Sequence, residues 1–144
     1  MSKNPVVHFE MPYKDPKRVS DFYTKAFGWK MQAMGQDMGD YVVAQTADTD
    51  ENRMVKTPGT INGGFYDESK VKNPEDKTVH VIISVDDIEK AMEDVRAAGG
   101  KIKGEPMDIP GIGKYVSIID SEENSVGVLQ PNNHDYKESL QQGS

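Results

Sequence analysis

HVIISVDDIEKAMEDVRAAGGKI, residues 80–102, is the stretch whose reading decides the fold. The run Thr78 to Val85 (TVHVIISV) is short, β-branched and apolar, which predicts a strand. Asp86 or Asp87 then offers a carboxylate cap, and Ile88, Ala91, Met92 and Val95 recur at helical spacing. Gly99-Gly100 supplies the stop. Three further strands are expected at Lys101 to Lys103, Lys114 to Asp120 and Ser125 to Gln130. The second half therefore reads β-α-β-β-β.

The first half repeats that order. VVHFEMP opens as a strand at Val6, and Asp15-Pro16 is a cap followed by proline at the first helical position, where its missing N–H costs nothing. Val19, Phe22, Tyr23, Ala26 and Phe27 follow at spacings of three, four and seven, and Gly28 ends the helix. Displaced by 69 positions, the second helix's apolar residues fall on Val19, Phe22, Tyr23 and Ala26. Strands are expected at Trp29 to Met34, Tyr41 to Gln45 and Thr60 to Tyr66. The charged segment DESKVKNPEDK reads as a solvated connector. The expected division is residues 1–66 for the first module, 67–77 for the connector, 78–131 for the second module and 132–144 for a polar tail, all within one compact domain. Two βαβββ copies suggest duplication, with half-sheets closing around a shared cavity and helices outside.

Composition narrows the function. The 24 acidic residues outnumber 17 basic ones, giving a formal charge of -7, a field that repels nucleic acid. The chain has no cysteine, so disulfides, thiolate metal sites and thiol nucleophiles are excluded. No apolar run has the length of a signal peptide or a membrane span, so the expectation is a cytoplasmic protein with no membrane partner.

His8 and His80 occupy the first strand of each half, and the third histidine, His134, lies in the tail. Equivalent places in a duplicated fold would bring the two imidazoles together as candidate ligands of a divalent ion. Alternation puts Glu10 on the face of His8, either as a third ligand or as a solvated charge or ion pair. The alternative for both histidines is an ordinary hydrogen-bonded strand residue.

These residues carry a resemblance. His8 through Asp21-Phe22-Tyr23-Thr24-Lys25 with Phe27-Gly28-Trp29, the stretch HVIISVDDIEKAMEDVRAAGGKI, and IIDSEENSVGVLQP together resemble the vicinal oxygen chelate superfamily of glyoxalases, bleomycin-resistance proteins and extradiol dioxygenases. The resemblance covers most of residues 5–131, in a glyoxalase-like subtype of uncharacterised function. It implies an α+β fold of two βαβββ modules forming an eight-stranded, open, barrel-like mixed sheet with helices outside, often completed by dimerisation into a homodimer. It also implies metal ligands on the first and last strands of each module, and His8 and His80 match the two first-strand positions. Gly127 stands where the family's ligand glutamate is expected, and Ile61-Asn62-Gly63-Gly64-Phe65 offers no carboxylate. That carboxylate is also the proton-moving base of glyoxalase I, so its loss removes a reactive group as well as a ligand.

The function implied is the binding of a small, partly apolar molecule in the cavity between the modules, without glyoxalase I activity. The alternative is a metal-dependent lyase or isomerase of lactoylglutathione-lyase type with a reduced ligand set, taking zinc or nickel. The pocket is expected to draw on His8, Glu10, Trp29, Tyr41, Asn62, His80, Tyr115 and Gln130. Gly63, Gly64 and Gly127 read as places where a ligand or another backbone approaches closely, or as bulges. Met107 to Gly113 (MDIPGIG) suits either a lid or a turn against a dimer partner. Met31, Met34 and Met38 could line the site or fill core gaps.

Overall fold

A computed structural model describes residues 3–132. The architecture is α+β, with eight strands and two α-helices in the order of two βαβββ repeats. The first repeat comprises β1 (Val6–Tyr13), α1 (Pro16–Phe27), β2 (Lys30–Ala33), β3 (Val42–Gln45) and β4 (Asn62–Asp67). The second comprises β5 (His80–Ser84), α2 (Ile88–Ala97), β6 (Lys101–Ile109), β7 (Gly113–Ile119) and β8 (Ser125–Pro131). The chain forms two compact units, residues 8–80 in one and the described residues before 8 and after 80 in the other. The N-terminal segment belongs with the second repeat, where the Ser84 N–H donates to the Pro5 carbonyl at 2.9 Å. The segment expected to be a plain solvated connector contains two single 3-10 turns, Glu68–Lys70 and Pro74–Asp76.

Within the 8–80 unit the strand order is β2-β3-β4-β1, with β1 and β4 parallel and the rest antiparallel. One face of this sheet packs under α1. There Tyr13, Val42, Ala44 and Phe65 are buried, with Phe9, Met11, Val19, Tyr23, Trp29 and Met31 against them. Period-two alternation then turns His8, Glu10 and Pro12 to the opposite face. The other unit runs β5-β8-β7-β6. Its helix side buries Val85, Ile88, Met92, Val116, Ile118 and Val128.

Both helices begin on the same device. The Asp15 carboxylate accepts from the Arg18 N–H at 3.0 Å and the Asp87 carboxylate from the Lys90 N–H at 3.1 Å, each cap contributing about 1 kcal/mol. At the far end of α1, Gly28 sits at φ 73°, and the N–H groups of Gly28 and Trp29 close onto the Thr24 and Tyr23 carbonyls.

These caps correct the internal register. Asp15 and Asp87 are 72 positions apart, as His8 and His80 are, whereas helix hydrophobicity alone suggested 69. At 72, Val19 and Tyr23 match Ala91 and Val95, which all pack against their cores, and Phe22 matches Asp94. Phe22 is accordingly 56% exposed, not part of the buried stripe.

The Met107 to Gly113 segment is not a free loop. Strand β6 continues through Met107–Ile109, which pair with Tyr115, Lys114 and Gly113, and the Ile112 N–H closes a tight turn onto the Ile109 carbonyl. Among the described residues no helix is long and apolar enough to cross a membrane.

Candidate functional site

The face of the 8–80 unit turned away from α1 carries a cluster of polar groups. His8, Glu10 and Pro12 come from β1, and register places Asn62, Gly64 and Tyr66 of β4 beside them. His80 joins this cluster from the start of β5.

Two side-chain pairs organise it. His80 Nε2 lies 2.9 Å from Glu10 Oε1, and the pair is largely shielded, with 11% and 16% of the two side chains exposed. The second His80 nitrogen, Nδ1, lies 3.3 Å from the Thr78 carbonyl oxygen. Both nitrogens therefore face acceptors, an arrangement that the doubly protonated ring satisfies. Burial pulls the His80 pKa down, but the hydrogen bond and charge of Glu10 and the Thr78 carbonyl outweigh it, so the ring titrates above its ordinary value. His8 goes the other way. Burial lowers its pKa and the neighbouring His80 adds to that, against an opposing pull from Glu10.

His8 Nε2 is 3.0 Å from the Tyr41 hydroxyl. Tyr41 reaches it by lying across Gly64. A Cβ on Gly64 would stand 2.0 Å from Tyr41 Oη and 2.2 Å from its ring, so only glycine admits the ring there. On the helix side of the same strand, Gly63 makes room for Phe9 in the same manner. The groups that approach these two strand glycines are aromatic side chains of the protein itself.

The expected pocket residues divide into three sets. His8, Glu10, Tyr41 and His80 come together. Asn62 shares their face, but its amide oxygen accepts from the Thr46 and Ala47 N–H groups at 2.8 and 2.9 Å and fixes the exit of β3. Trp29 and Gln130 stand elsewhere. Trp29 stacks on Tyr23 at 4.6 Å in the helix-side core. The Gln130 side-chain oxygen accepts from the Ile88 N–H at the start of α2. In the other unit Tyr115 lies across Gly127, where a Cβ would come within 2.6 Å of its hydroxyl. The concavity of about 570 Å³ in that unit lies apart from Tyr115, between α2 and the β6–β7 hairpin, lined by Glu89, Met92, Arg96, Glu105, Asp108 and Lys114.

Tyr66 is the residue that sequence reading missed. Its ring centroid is 5.7 Å from that of His80, and its hydroxyl donates to the Thr78 carbonyl at 2.6 Å, so it walls His80 and braces the turn before it. Alternation from Gly64 would have found it, since Tyr66 is the next residue on that face. Met31 packs in the core under α1. His134 lies outside the described residues.

A divalent ion does not fit these donors. Among the described residues no three histidine, aspartate or glutamate side chains stand close enough to hold one. His80 Nε2 and Glu10 are bonded to each other, and Gly64 and Gly127 leave no side-chain donor on the last strand of either repeat at the point opposite Glu10 and Ile82.

This is a duplicated βαβββ fold whose first repeat presents histidine, glutamate and tyrosine on one sheet face, and its class follows. The model of the Glyoxalase/Bleomycin resistance protein/Dioxygenase superfamily matches residues 6–127, and the chain belongs to that family. It is similar to a glyoxylase-like domain-containing protein of Didymella fabae, 29% identical over 120 residues, covering 81% of this chain and 85% of the relative. The "Putative glyoxylase CFP32" of Mycobacterium bovis is 36% identical over 52 residues, 36% of this chain, and the match spans only 20% of that protein's length. Among solved structures, methylmalonyl-CoA epimerase in complex with methylmalonyl-CoA and NH4+ superposes with a TM-score of 0.66 at 12% identity, over 91% of this chain and 96% of that one. That likeness is one of fold.

Proposed function

We propose that the chain is a glyoxalase/bleomycin-resistance-like binding protein that holds a small, partly apolar molecule on the face carrying His8, Glu10, Tyr41, Tyr66 and His80, without glyoxalase I chemistry. The observation that carries this reading is the pairing of the polar groups there, His80 with Glu10 and His8 with Tyr41. An imidazolium and a carboxylate in contact cancel each other's charge, so the face favours a neutral or weakly polar ligand over a free anion or cation. The rings of Tyr41 and Tyr66 supply flat apolar area with polar tips. Glyoxalase-type isomerisation needs a carboxylate base free to move a substrate proton, and Glu10 is engaged while Gly64 and Gly127 carry none. A homodimer in the cytoplasm is the expected form, and sedimentation velocity checks the assembly.

The test is an NMR titration with a library of small neutral aromatic and heteroaromatic molecules. Hits that move the His8, His80, Tyr41 and Tyr66 resonances together are the expected result. Hits confined to other residues would overturn the site. Conversion of the methylglyoxal–glutathione hemithioacetal to S-lactoylglutathione, abolished by His80→Ala, would replace binding with the lyase alternative.

A further inference from the structure

We infer that this chain has given up the divalent ion that its family implies, and that Tyr41, seated on Gly64, takes the ion's place at His8. The inference goes beyond the ligand-binding reading and does not rest on it.

A metal needs a lone pair on each nitrogen that binds it. His80 has none to give in this arrangement. Its Nε2 meets a carboxylate oxygen at 2.9 Å and its Nδ1 a carbonyl oxygen at 3.3 Å, and a nitrogen must carry a proton to bond either. His8 Nε2 is occupied by the Tyr41 hydroxyl at 3.0 Å. Freeing it would mean lifting the Tyr41 ring from a seat so close that one methyl group on Gly64 could not share it. The remaining oxygen donor, Glu10, is the partner of His80, so recruiting it breaks that pair as well.

Gly64 is decisive because of where it stands. It is the register partner of Glu10 on the adjacent parallel strand, so a carboxylate at position 64 would reach the same face beside Glu10 and His8. Glycine there removes that donor and admits the tyrosine in one step. The ring and the missing side chain form a matched pair, and the second unit repeats it with Tyr115 on Gly127, the register partner of Ile82. At the first pair a side-chain hydrogen bond, Tyr41 to His8, stands in place of ion coordination.

The experiment titrates metal-stripped full-length chain carrying His134→Ala, which removes the tail imidazole, with Zn²⁺ and Ni²⁺ by calorimetry. The His8 and His80 imidazole resonances are followed in parallel. No saturable one-site uptake and unmoved imidazole resonances are expected. Saturable uptake that perturbs both rings and is lost in His80→Ala would overturn the inference. The double variant Tyr41→Ala, Gly64→Glu, verified as folded by circular dichroism, is expected to bind Zn²⁺ at least tenfold tighter than its parent. No gain would show that Tyr41 does not stand in for the ion. Tyr41→Phe covers the case in which the double variant fails to fold: it keeps the ring, and is expected to shift His8 while leaving His80 in place. An unshifted His8 would remove the hydroxyl from the argument.

Discussion

The two repeats share a scaffold and differ in what they hang on it. Their first strands and helix caps are 72 residues apart, so His8 matches His80 and Asp15 matches Asp87, and strand register rather than a constant offset makes Tyr41 on Gly64 equivalent to Tyr115 on Gly127. Each glycine is the register partner of the residue two positions after the histidine on the first strand, Glu10 in one repeat and Ile82 in the other. There the repeats part. Opposite its glycine the first carries a carboxylate bonded to a histidine, and the second carries a buried isoleucine. Beyond the glycine on the same face stands Tyr66 in the first repeat and Leu129 in the second. Both copies keep the tyrosine-on-glycine seat, whereas the ionisable side chains His8, Glu10 and His80 gather on one face within residues 8–80.

The largest effects should fall on what the repeats have in common. Phe65 and Ile88, each 1% exposed, anchor the two cores, and Phe65→Ala is expected to cost about 3–5 kcal/mol and Ile88→Ala about 2–5 kcal/mol in chemical denaturation. Equal losses from both would show two cores of similar weight. Gly64→Ala comes next. Its methyl would displace Tyr41 and cost about 1–3 kcal/mol, with Tyr41→Ala in the same chain restoring part of the loss. Gly127→Ala has slightly more room, 2.6 Å against 2.0 Å at the closest atom, and should cost less. A Gly64→Ala chain as stable as the parent would mean that the seat is not close-packed.

What separates the repeats should show in pH. His80 titrates above the ordinary histidine value, so its contribution to stability is complete below the unfolded-state pKa of about 6.5 and is lost as pH rises through its folded value. His8 titrates below the ordinary value. The unfolded chain then takes up that proton first, so stability falls as pH drops from about 6.5 through the folded His8 value. Imidazole NMR titrations should give midpoints on opposite sides of about 6.5. Glu10→Gln should lower the His80 midpoint and raise that of an unaffected third group not at all. A His80 midpoint unchanged in Glu10→Gln would break the assignment of charge to the first repeat.

Much of this was legible in the chain. Strand, cap, helix face and glycine stop recurred in order because each is fixed by local chemistry, and alternation set His8 and Glu10 on one face. The finer register was not legible from hydrophobicity. Phe22 and Phe27 imitate core positions, and only the capping carboxylates at Asp15 and Asp87 give the true offset. The roles of Asn62 and Gln130 were also out of reach, because both amides bond to backbone groups brought near by tertiary packing: Asn62 to Thr46 and Ala47, Gln130 to Ile88. The place of Trp29 was out of reach for a related reason. It sits two residues past the helix, where the turn at Gly28 sends its ring back against Tyr23. Two strand glycines in a row reveal that something lies close, but not that the occupants are Phe9 and Tyr41 on opposite faces.

The corrected register yields a smaller prediction and a sharper one. Asp15→Ala and Asp87→Ala should each cost about 1 kcal/mol, equal within error because the two caps have the same geometry. Phe22 is the residue on which the two registers disagree. At an offset of 69 it is equivalent to Ala91 and belongs to the core, so Phe22→Asp would bury a charge. At 72 it is equivalent to Asp94, and at 56% exposure its replacement removes surface apolar area and an edge contact with Tyr23 at 5.0 Å. The expected change for Phe22→Asp is therefore within about 0.5–1 kcal/mol of zero, the range of surface substitutions plus one aromatic pair. A loss of core size in thermal or urea unfolding would return the helix to the hydrophobic register and separate α1 from the geometry of α2.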